Sequence, residues 1–287
     1  MSINRSLEDS NVSPLQDEVY FDLHAGTTEF YLDPGYYDSE FNPRVEDVEF
    51  YTQRYLEADG EVLELGVGTG RIAVPAVSHG ASVFGIDLHS QMLEAAQKRA
   101  DKILIEGVGS LRLAQGDMRS LSLSEKFSMI TCPFNALQHM YTNDDVVSCL
   151  QTILRHLKDG GIFIFDVLMP VFTYLNRNPF VVHEGIIFEH PTFKANYRYS
   201  ERSAYDPVTQ INQMWFYYDR VKPPIGEKSN APEHHSIQLS HRYFFPMELR
   251  YLLETNGFEI IQELGGFENQ PLREGCESMI FFCKSKN

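Results

Sequence analysis

The feature that most constrains this chain is the stretch VLELGVGTGR at residues 62–71. An apolar run typical of a buried strand leads into three glycines that alternate with other residues, Gly66, Gly68 and Gly70. A tight strand-to-helix turn needs residues without a Cβ where the backbone must approach a ligand, and the N–H groups of the next helix then face that ligand. The stretch therefore predicts a nucleoside site in a Rossmann-like α/β fold.

Strands and helices continue to alternate up to about residue 169, which predicts a doubly wound, mostly parallel sheet. The nearly continuous apolar run GIFIFDVL, residues 161–168, is typical of a strand buried on both faces. A helix that opens at Pro246 precedes two further strands, FEIIQELGGF and SMIFFCKSK, which we interpret as a hairpin added to the sheet.

Two regions break this alternation. Residues 170–245 contain four segments of β composition separated by turn signals, which predicts an antiparallel insertion that caps the substrate site. Residues 1–43 end in a stretch rich in aromatic and acidic residues, which we interpret as an N-terminal arm and lid. The domain proper then consists of residues 44–169 together with residues 246–287.

The charge of the chain limits its partners. Its 287 residues carry a formal net charge of −16, which repels phosphate backbones and argues against binding to nucleic acid or to an anionic membrane. The four cysteines are scattered without metal-type spacing, the N-terminus is polar, and no apolar run reaches the ~18–20 residues of a membrane span. These features predict a cytoplasmic protein whose surface favours a cationic small molecule.

Three acids near the predicted strand ends discriminate between nucleoside ligands. Asp87 ends the second strand, where an acid can accept from ribose hydroxyls. Glu64 lies inside the first strand and Asp117 follows the third, and both would repel the pyrophosphate of a dinucleotide. The glycines also read GxGxG rather than GxGxxG. A phosphate-free ligand with an ammonium and a sulfonium group, such as S-adenosylmethionine, suits these carboxylates better than a nicotinamide cofactor does.

Four motifs occur in order: VLELGVGTGR, GIDLHSQML, GDMR and LKDGGIFIFDV. In this order and at these intervals they resemble the class I S-adenosylmethionine-dependent methyltransferases over about residues 44–170. In closer detail the chain is similar to the small-molecule branch, near glycine N-methyltransferases and antibiotic or sugar-amine N-methyltransferases. The resemblance implies a seven-stranded sheet with an antiparallel last strand, an aromatic N-terminal lid and an antiparallel insertion after the fifth strand.

The resemblance also implies roles for individual residues. The three glycines would form the floor under the cofactor, with Glu64 at its ammonium, Asp87 at the ribose and Asp117 at the adenine amino group. Leu88 and Met92 would contact the adenine, the Met118 N–H would donate to its ring, and Pro133 would touch the cofactor through its carbonyl. Arg44 would pair with the cofactor carboxylate, and the lid residue Tyr37 could also reach it.

The stretch CPFNALQHM, residues 132–140, resembles CxxNxxxHL of glycine N-methyltransferases. It implies that Phe134, Asn135 and His139 face the methyl group and the substrate, with His139 as the candidate base and Asn135 and Tyr37 as positioning residues. Tyr36 and Trp215 are further candidates for the substrate pocket. An NPPY or DPPY motif and a set of Mg²⁺-binding acids are missing from the sequence, and the insertion histidines lack metal-type spacing, so we expect no metal.

The function predicted from the sequence is in-line transfer of a methyl group to a small amine. Three alternatives stay open: an O-methyltransferase of a small hydroxylated metabolite, a nicotinamide-dependent oxidoreductase, and a non-catalytic subunit that binds S-adenosylmethionine. The aromatic lid and the acidic charge favour a cationic amine as acceptor. The exposed edges of the insertion favour a homodimer.

Overall fold

A computed structural model describes residues 22–103, 108–221 and 230–286 of the chain. Its larger sheet has seven strands in the order β10-β11-β5-β4-β1-β2-β3. Strands β1 to β5 are mutually parallel, and β11 is antiparallel to both of its neighbours, so the predicted sheet is confirmed. The strands are Val62–Leu65 (β1), Ser82–Asp87 (β2), Ser110–Gln115 (β3), Phe127–Cys132 (β4), Leu157–Leu168 (β5), Phe258–Leu264 (β10) and Ser278–Ser285 (β11).

Eight α-helices are assigned in the described residues, and local sequence explains several of their ends. Helix α6 begins with a capping box in which Thr142 and Asp145 each satisfy the other's backbone N–H. Helix α4 begins at Ala73, just after the turn in which Gly70 has a left-handed φ of 71°. The helices are Leu23–Thr28 (α1), Pro34–Phe41 (α2), Glu46–Glu57 (α3), Ala73–Ser78 (α4), Ser90–Ile103 (α5), Asn143–His156 (α6), Phe172–Leu175 (α7) and Pro246–Thr255 (α8).

The large sheet is covered on both faces. Helices α3 and α4 pack Tyr51, Tyr55 and Val77 against one face, and α6 and α8 pack Leu150 and Leu253 against the other. Because both faces are covered, all four residues of β1 and five of the six residues of β4 are buried. This arrangement leaves the carboxyl ends of β1, β2 and β4 at one edge, where ligands of such sheets bind.

A second, four-stranded antiparallel sheet lies within the predicted insertion, in the order β6-β7-β8-β9. Phe30 and Tyr37 from the lid share an apolar cluster with Met214 and Leu239 of this sheet. The lid consists of α1, a 3₁₀ turn at Glu29–Tyr31, and α2. Residues 1–21 of the predicted arm lie outside the described residues. The strands are His183–His190 (β6), Ala195–Asp206 (β7), Ile211–Arg220 (β8) and His234–Arg242 (β9).

Candidate active site

A cavity of about 660 Å³ lies between the carboxyl ends of the parallel strands, the lid and strand β9. Four predicted site residues do not line this cavity: Glu64, Gly70, Tyr36 and Trp215. The other predicted residues do, and they are Tyr37, Arg44, Gly66, Gly68, Asp87, Leu88, Met92, Asp117, Met118, Pro133, Phe134, Asn135 and His139.

The three glycines of the turn have two different roles. Gly66 and Gly68 line the cavity with left-handed φ angles of 74° and 55°. A Cβ on Gly66 would lie 2.8 Å from the Ala136 Cβ, so this glycine allows the turn and the loop after β4 to approach closely. Gly70 differs, because its Cβ would lie 2.8 Å from Val74 Cγ2, inside the packing of the helices. Gly70 therefore has a packing role and does not line the cavity, and its predicted place under the cofactor stays a prediction.

Asp87 ties the glycine turn to the end of β2. One of its carboxylate oxygens accepts from the Gly68 N–H at 2.8 Å, and the other accepts from the His89 N–H at 2.8 Å. Burial raises the pKa of Asp87, while these N–H groups act in the opposite direction. A carboxylate has about four acceptor positions. Asp87 can therefore accept from two ligand hydroxyls while it holds the turn.

At the end of β3, Asp117 is held by a residue that we did not predict. Arg119 donates to the Asp117 carboxylate through Nε at 3.0 Å and Nη2 at 2.7 Å, and it donates to Asp145 through Nη1 at 2.9 Å. The hydrogen bonds from Arg119 lower the pKa of Asp117. Arg119 also lines the cavity, and it belongs to the motif GDMR that pointed to Asp117.

Glu64 lies behind the cavity and is 2% exposed. The Tyr55 hydroxyl donates to its carboxylate at 2.8 Å, and that hydroxyl also lies 2.6 Å from Thr131 Oγ1. Burial raises the pKa of Glu64 to about 8. Because Glu64 does not line the cavity, the structure does not show the predicted contact with a ligand ammonium, and that contact stays a prediction.

The loop after β4 is strained. Phe134 and Asn135 are consecutive non-glycine residues in the left-handed region, with φ angles of 54° and 63°, and such conformations cost roughly 1–3 kcal/mol each. Their N–H groups donate to the two carboxylate oxygens of Asp166, at 2.8 and 3.2 Å, and Tyr51 donates to the same carboxylate at 2.7 Å. Burial raises the pKa of Asp166 to about 6. Asp166, at the end of β5, therefore fixes the loop.

Two further contacts orient this loop. The Arg71 guanidinium lies 4.4 Å from the centre of the Phe134 ring and forms a buried ion pair with Asp47. Arg71 also donates to the backbone carbonyl of Arg44 at 3.1 Å, which connects the loop to the start of α3. The Asn135 Oδ1 atom is buried without a hydrogen-bond partner among the described residues, so an acceptor atom is available beside the cavity.

His139 lies in a hydrogen-bonded network with two tyrosines. Its Nε2 atom is 2.7 Å from the Tyr31 hydroxyl, and its Nδ1 atom is 3.3 Å from the Tyr141 hydroxyl. Tyr141 donates to the Ser240 carbonyl at 3.1 Å, so its oxygen accepts from His139 Nδ1–H. The Nε2 atom is then the acceptor of the Tyr31 hydroxyl proton, an assignment that follows from the network.

The structure places Tyr36 and Trp215 away from the cavity. The Tyr36 ring stacks on His190 at 5.0 Å, and its oxygen accepts from the Tyr218 hydroxyl at 2.7 Å. Trp215 lies on the opposite face of β8 from Met214, with the Arg202 guanidinium 4.3 Å from its ring centre. Both residues take part in packing and pairing within the lid and the second sheet; neither lines the cavity, and their predicted substrate contacts stay predictions.

Several residues of the site were missed from the sequence: Tyr31, His89, Arg119, Tyr141, Asp166 and His241. Arg119 and Asp166 lie in motifs that carried the resemblance, so their strand-end positions were the available signal. Tyr31, Tyr141 and His241 come from the lid, the segment after β4 and β9, and their contacts span more than 90 residues of sequence. Nothing local in the sequence indicates those contacts.

The residues present fit S-adenosylmethionine. The cavity offers exposed glycine backbone, carboxylates at the ends of β2 and β3, and apolar walls from Leu88, Met92 and Met118. Within the described ranges there is no group of three or more His, Cys, Asp or Glu side chains that could hold a metal ion. No helix among the described residues is both long and apolar enough to cross a membrane.

The fold is Rossmann-like, and the residues of its cavity fit an adenosyl cofactor. Comparisons with known proteins agree, because residues 62–161 match a family model described as a methyltransferase domain. The chain is 27% identical to the putative methyltransferase YqeM of Bacillus subtilis, over 65% of this chain and 74% of that protein. It is 22% identical to dTDP-3-amino-3,6-dideoxy-α-D-glucopyranose N,N-dimethyltransferase of Streptomyces fradiae, over 71% and 73% of the two chains.

Among solved structures, SAM-bound CalS10, an amino pentose methyltransferase from Micromonospora echinaspora, superposes with a TM-score of 0.60 at 17% identity. The superposition covers 94% of this chain and 99% of that chain, and it shows the shared fold. Residues 62–161 therefore form a methyltransferase domain, and the chain resembles the class I S-adenosylmethionine-dependent methyltransferases, sugar-amine N-methyltransferases among them. S-adenosylmethionine is the cofactor that this likeness implies, and the residues lining the cavity fit it.

Proposed function

We propose that the protein transfers a methyl group from S-adenosylmethionine to the nitrogen of a small amine. The observation that carries this proposal is the continuity of the cavity, which runs from Gly68 and Asp87 to the hydrogen-bonded pair Tyr31 and His139. Relatives named as N,N-dimethyltransferases of dTDP-linked amino sugars support an amine acceptor.

The cofactor is assigned to the wall formed by the parallel strands. Asp87 accepts from the ribose hydroxyls, Asp117 accepts from the adenine amino group, and Arg44 pairs with the cofactor carboxylate. Leu88, Met92 and the Met118 backbone enclose the adenine, and Pro133 offers its carbonyl. Support comes from the position of each of these residues in the cavity wall.

When bound, S-adenosylmethionine would supply an electrophilic methyl group on a positively charged sulfur. This sulfur is the leaving group, and it becomes neutral without needing a proton. The protein therefore has to hold the acceptor in line, at roughly 3–3.5 Å from the methyl carbon, and to exclude water. Tyr31 and Tyr37 close the cavity from the lid, and the unpartnered Asn135 Oδ1 can orient an acceptor N–H. An acceptor proton can pass to the Tyr31 oxygen as the Tyr31 proton moves to His139 Nε2.

The basicity of His139 favours nitrogen over oxygen as the acceptor atom. Burial lowers the pKa of His139 well below its ordinary value, and the neighbouring His241 and His89 add to this effect. A weak base cannot remove the proton of an aliphatic hydroxyl effectively, whereas a neutral amine already has a free lone pair. O-methylation stays the alternative for acidic hydroxyl groups.

Calorimetric titration with S-adenosylmethionine and S-adenosylhomocysteine tests the first half of the proposal. We expect micromolar binding in the wild type, and no shift on addition of NADH. Tight NADH binding without binding of either adenosyl ligand would instead support the oxidoreductase alternative.

Release of S-adenosylhomocysteine tests the second half, with a matched pair of acceptors. Methyl 3-amino-3-deoxyglucoside and methyl glucoside differ in a single amino or hydroxyl group. Turnover with the amine alone supports N-methylation, and turnover with the alcohol alone supports O-methylation. Cofactor binding without product release from any small amine would favour the non-catalytic alternative.

A further inference from the structure

One wall of the cavity is formed by side chains from residues 23–31 of the lid, residues 139–141 after β4 and strand β9, and we call it the acceptor wall. It includes no carboxylate, lysine or arginine among the described residues. Its members are Leu23, His24, Thr27, Thr28, Phe30, Tyr31, His139, Met140, Tyr141, Leu239 and His241.

Two histidines of the acceptor wall are uncharged at neutral pH. Burial lowers the pKa of His241 to about 4, and burial together with His241 and His89 lowers that of His139. The two rings lie 5.1 Å apart, so a proton on one disfavours a proton on the other. The wall therefore offers neutral hydrogen-bonding groups on an apolar surface.

The carboxylates elsewhere in the cavity already have partners. Asp87 accepts from the Gly68 and His89 N–H groups, and Asp117 is paired with Arg119. Arg119 is in turn shared with Asp145. With the cofactor bound as proposed, an ammonium on the acceptor would find no free carboxylate among the described lining residues, and a phosphate would find no lysine or arginine on the acceptor wall.

Electrostatics disfavour a charged acceptor. An ammonium about 4 Å from the cofactor sulfonium would be repelled by its like charge. Removing the ammonium from water would add a further penalty. Attraction to the rings of Phe30, Tyr31 and Tyr37 is smaller than these two effects together. The aromatic lid alone therefore does not offset the cost, contrary to the expectation of a cationic acceptor drawn from the sequence.

One polar atom of the acceptor wall has no partner. The His241 Nδ1 atom is buried and makes no hydrogen bond in the described structure, although His241 lines the cavity. Buried polar atoms in folded proteins are nearly always paired, by protein, water or ligand. A neutral imidazole can donate from one nitrogen and accept at the other.

We infer that the acceptor wall selects an uncharged, phosphate-free acceptor, such as a deprotonated amine on an apolar or hydroxylated body, and that His241 hydrogen-bonds to it. This inference rests on the proposed function. The acceptor inferred for this protein therefore differs from the nucleotide-linked amino sugars in the names of its relatives, because a diphosphate would find no cationic partner on this wall.

Benzylamine and benzyl alcohol, which have nearly the same shape, test the electrostatics without needing the natural acceptor. Both are titrated into the S-adenosylhomocysteine complex of the wild-type protein between pH 7 and pH 10. We expect benzylamine to bind about tenfold more weakly than benzyl alcohol at pH 7, with the gap closing as the amine loses a proton. Equal or tighter binding of benzylamine at pH 7, or a gap that does not depend on pH, overturns the inference.

The role of His241 is tested by His241→Asp, with His241→Asn as the matched neutral control. The S-adenosylhomocysteine complex of the aspartate variant should bind benzylamine about tenfold better relative to benzyl alcohol at pH 7, and that of the asparagine variant should not. An unchanged ratio in a folded aspartate variant, verified by its thermal unfolding, removes His241 from the acceptor wall. If the aspartate variant does not fold, the wild-type pH series still decides the charge selectivity.

Two outcomes separate this inference from the proposed function. Failure of the wild type to bind either adenosyl ligand would overturn the proposed function and the inference with it. Saturable binding of thymidine diphosphate to the S-adenosylhomocysteine complex would overturn the inference alone, because it would show a diphosphate site. We expect no such binding.

Discussion

The cofactor side of the cavity and the acceptor wall are built on different principles. The cofactor side comes from the edge of the parallel sheet, and its ionised groups are paired with N–H groups or with one another, as Asp87 and Asp117 show. The acceptor wall collects side chains without a carboxylate, ammonium or guanidinium group from three separate segments. It follows that the sheet fixes the cofactor, while lid and insertion can change the acceptor without disturbing the sheet.

We expect the strongest loss of affinity from a substitution on the cofactor side. Asp87→Ala removes the acceptor of two backbone N–H groups and of the proposed ribose hydrogen bonds. Because hydrogen bonds to charged groups contribute about 1.5–3 kcal/mol each, affinity for S-adenosylhomocysteine should fall by about 100-fold. Calorimetry measures this loss. Asp101→Ala, on the exposed face of α5, is the matched control and should bind normally; a normal Asp87→Ala protein would contradict the assignment.

On the acceptor wall, Tyr31→Phe removes the hydroxyl that lies 2.7 Å from His139 Nε2. Turnover with the best amine should fall by about 10- to 100-fold, since a positioned proton-transfer group contributes on that order or more. Affinity for S-adenosylhomocysteine should stay nearly unchanged, because the hydroxyl is not assigned to the cofactor. Initial rates and calorimetry on the same preparation separate the two effects.

Tyr36→Phe is the matched control for Tyr31→Phe. It removes the partner of the Tyr218 hydroxyl and should lower the free energy of unfolding by about 1 kcal/mol, with turnover preserved. If both variants lose turnover equally, the lid acts through its overall packing, and the Tyr31–His139 pair has no special part in proton transfer.

The sequence predicted more residues of the cofactor side than of the acceptor wall. The motifs between Val62 and Asp117 follow one another closely along the chain, and the carboxyl ends of parallel strands meet at one edge of the sheet whatever the loops do. Tyr36 shows the limit. It neighbours Tyr37 on helix α2, so the two rings point about 100° apart, and only the packing against Tyr218 shows which one faces the cavity. The contact of Tyr31 with His139 depends on where the lid folds back, which the sequence does not encode locally.

Glu64 offers a smaller, pH-dependent test of the cofactor side. Its pKa of about 8 means that the carboxyl is mostly protonated in the free protein at pH 7. A ligand ammonium nearby would lower that pKa, so binding should release a proton, and affinity should rise with pH between about 7 and 8. Titrations in buffers of different ionisation enthalpy measure the released proton. Glu64→Gln should abolish it; equal proton release in that variant would remove Glu64 from the cofactor site.

The weakest effect on turnover is expected for Trp215, which lies outside the acceptor wall. Trp215 pairs across the second sheet with Arg202, whose guanidinium stacks on its ring, while Met214 and Leu239 occupy the face toward the lid. Trp215→Ala should therefore cost about 1 kcal/mol of stability, from the lost cation–π contact and packing, and leave turnover within about twofold. Thermal unfolding and initial rates on the same sample measure both quantities. Because alternate residues of a strand face opposite sides, a Trp215→Ala protein of unchanged stability but lost turnover would mean that the acceptor contacts both faces of the sheet.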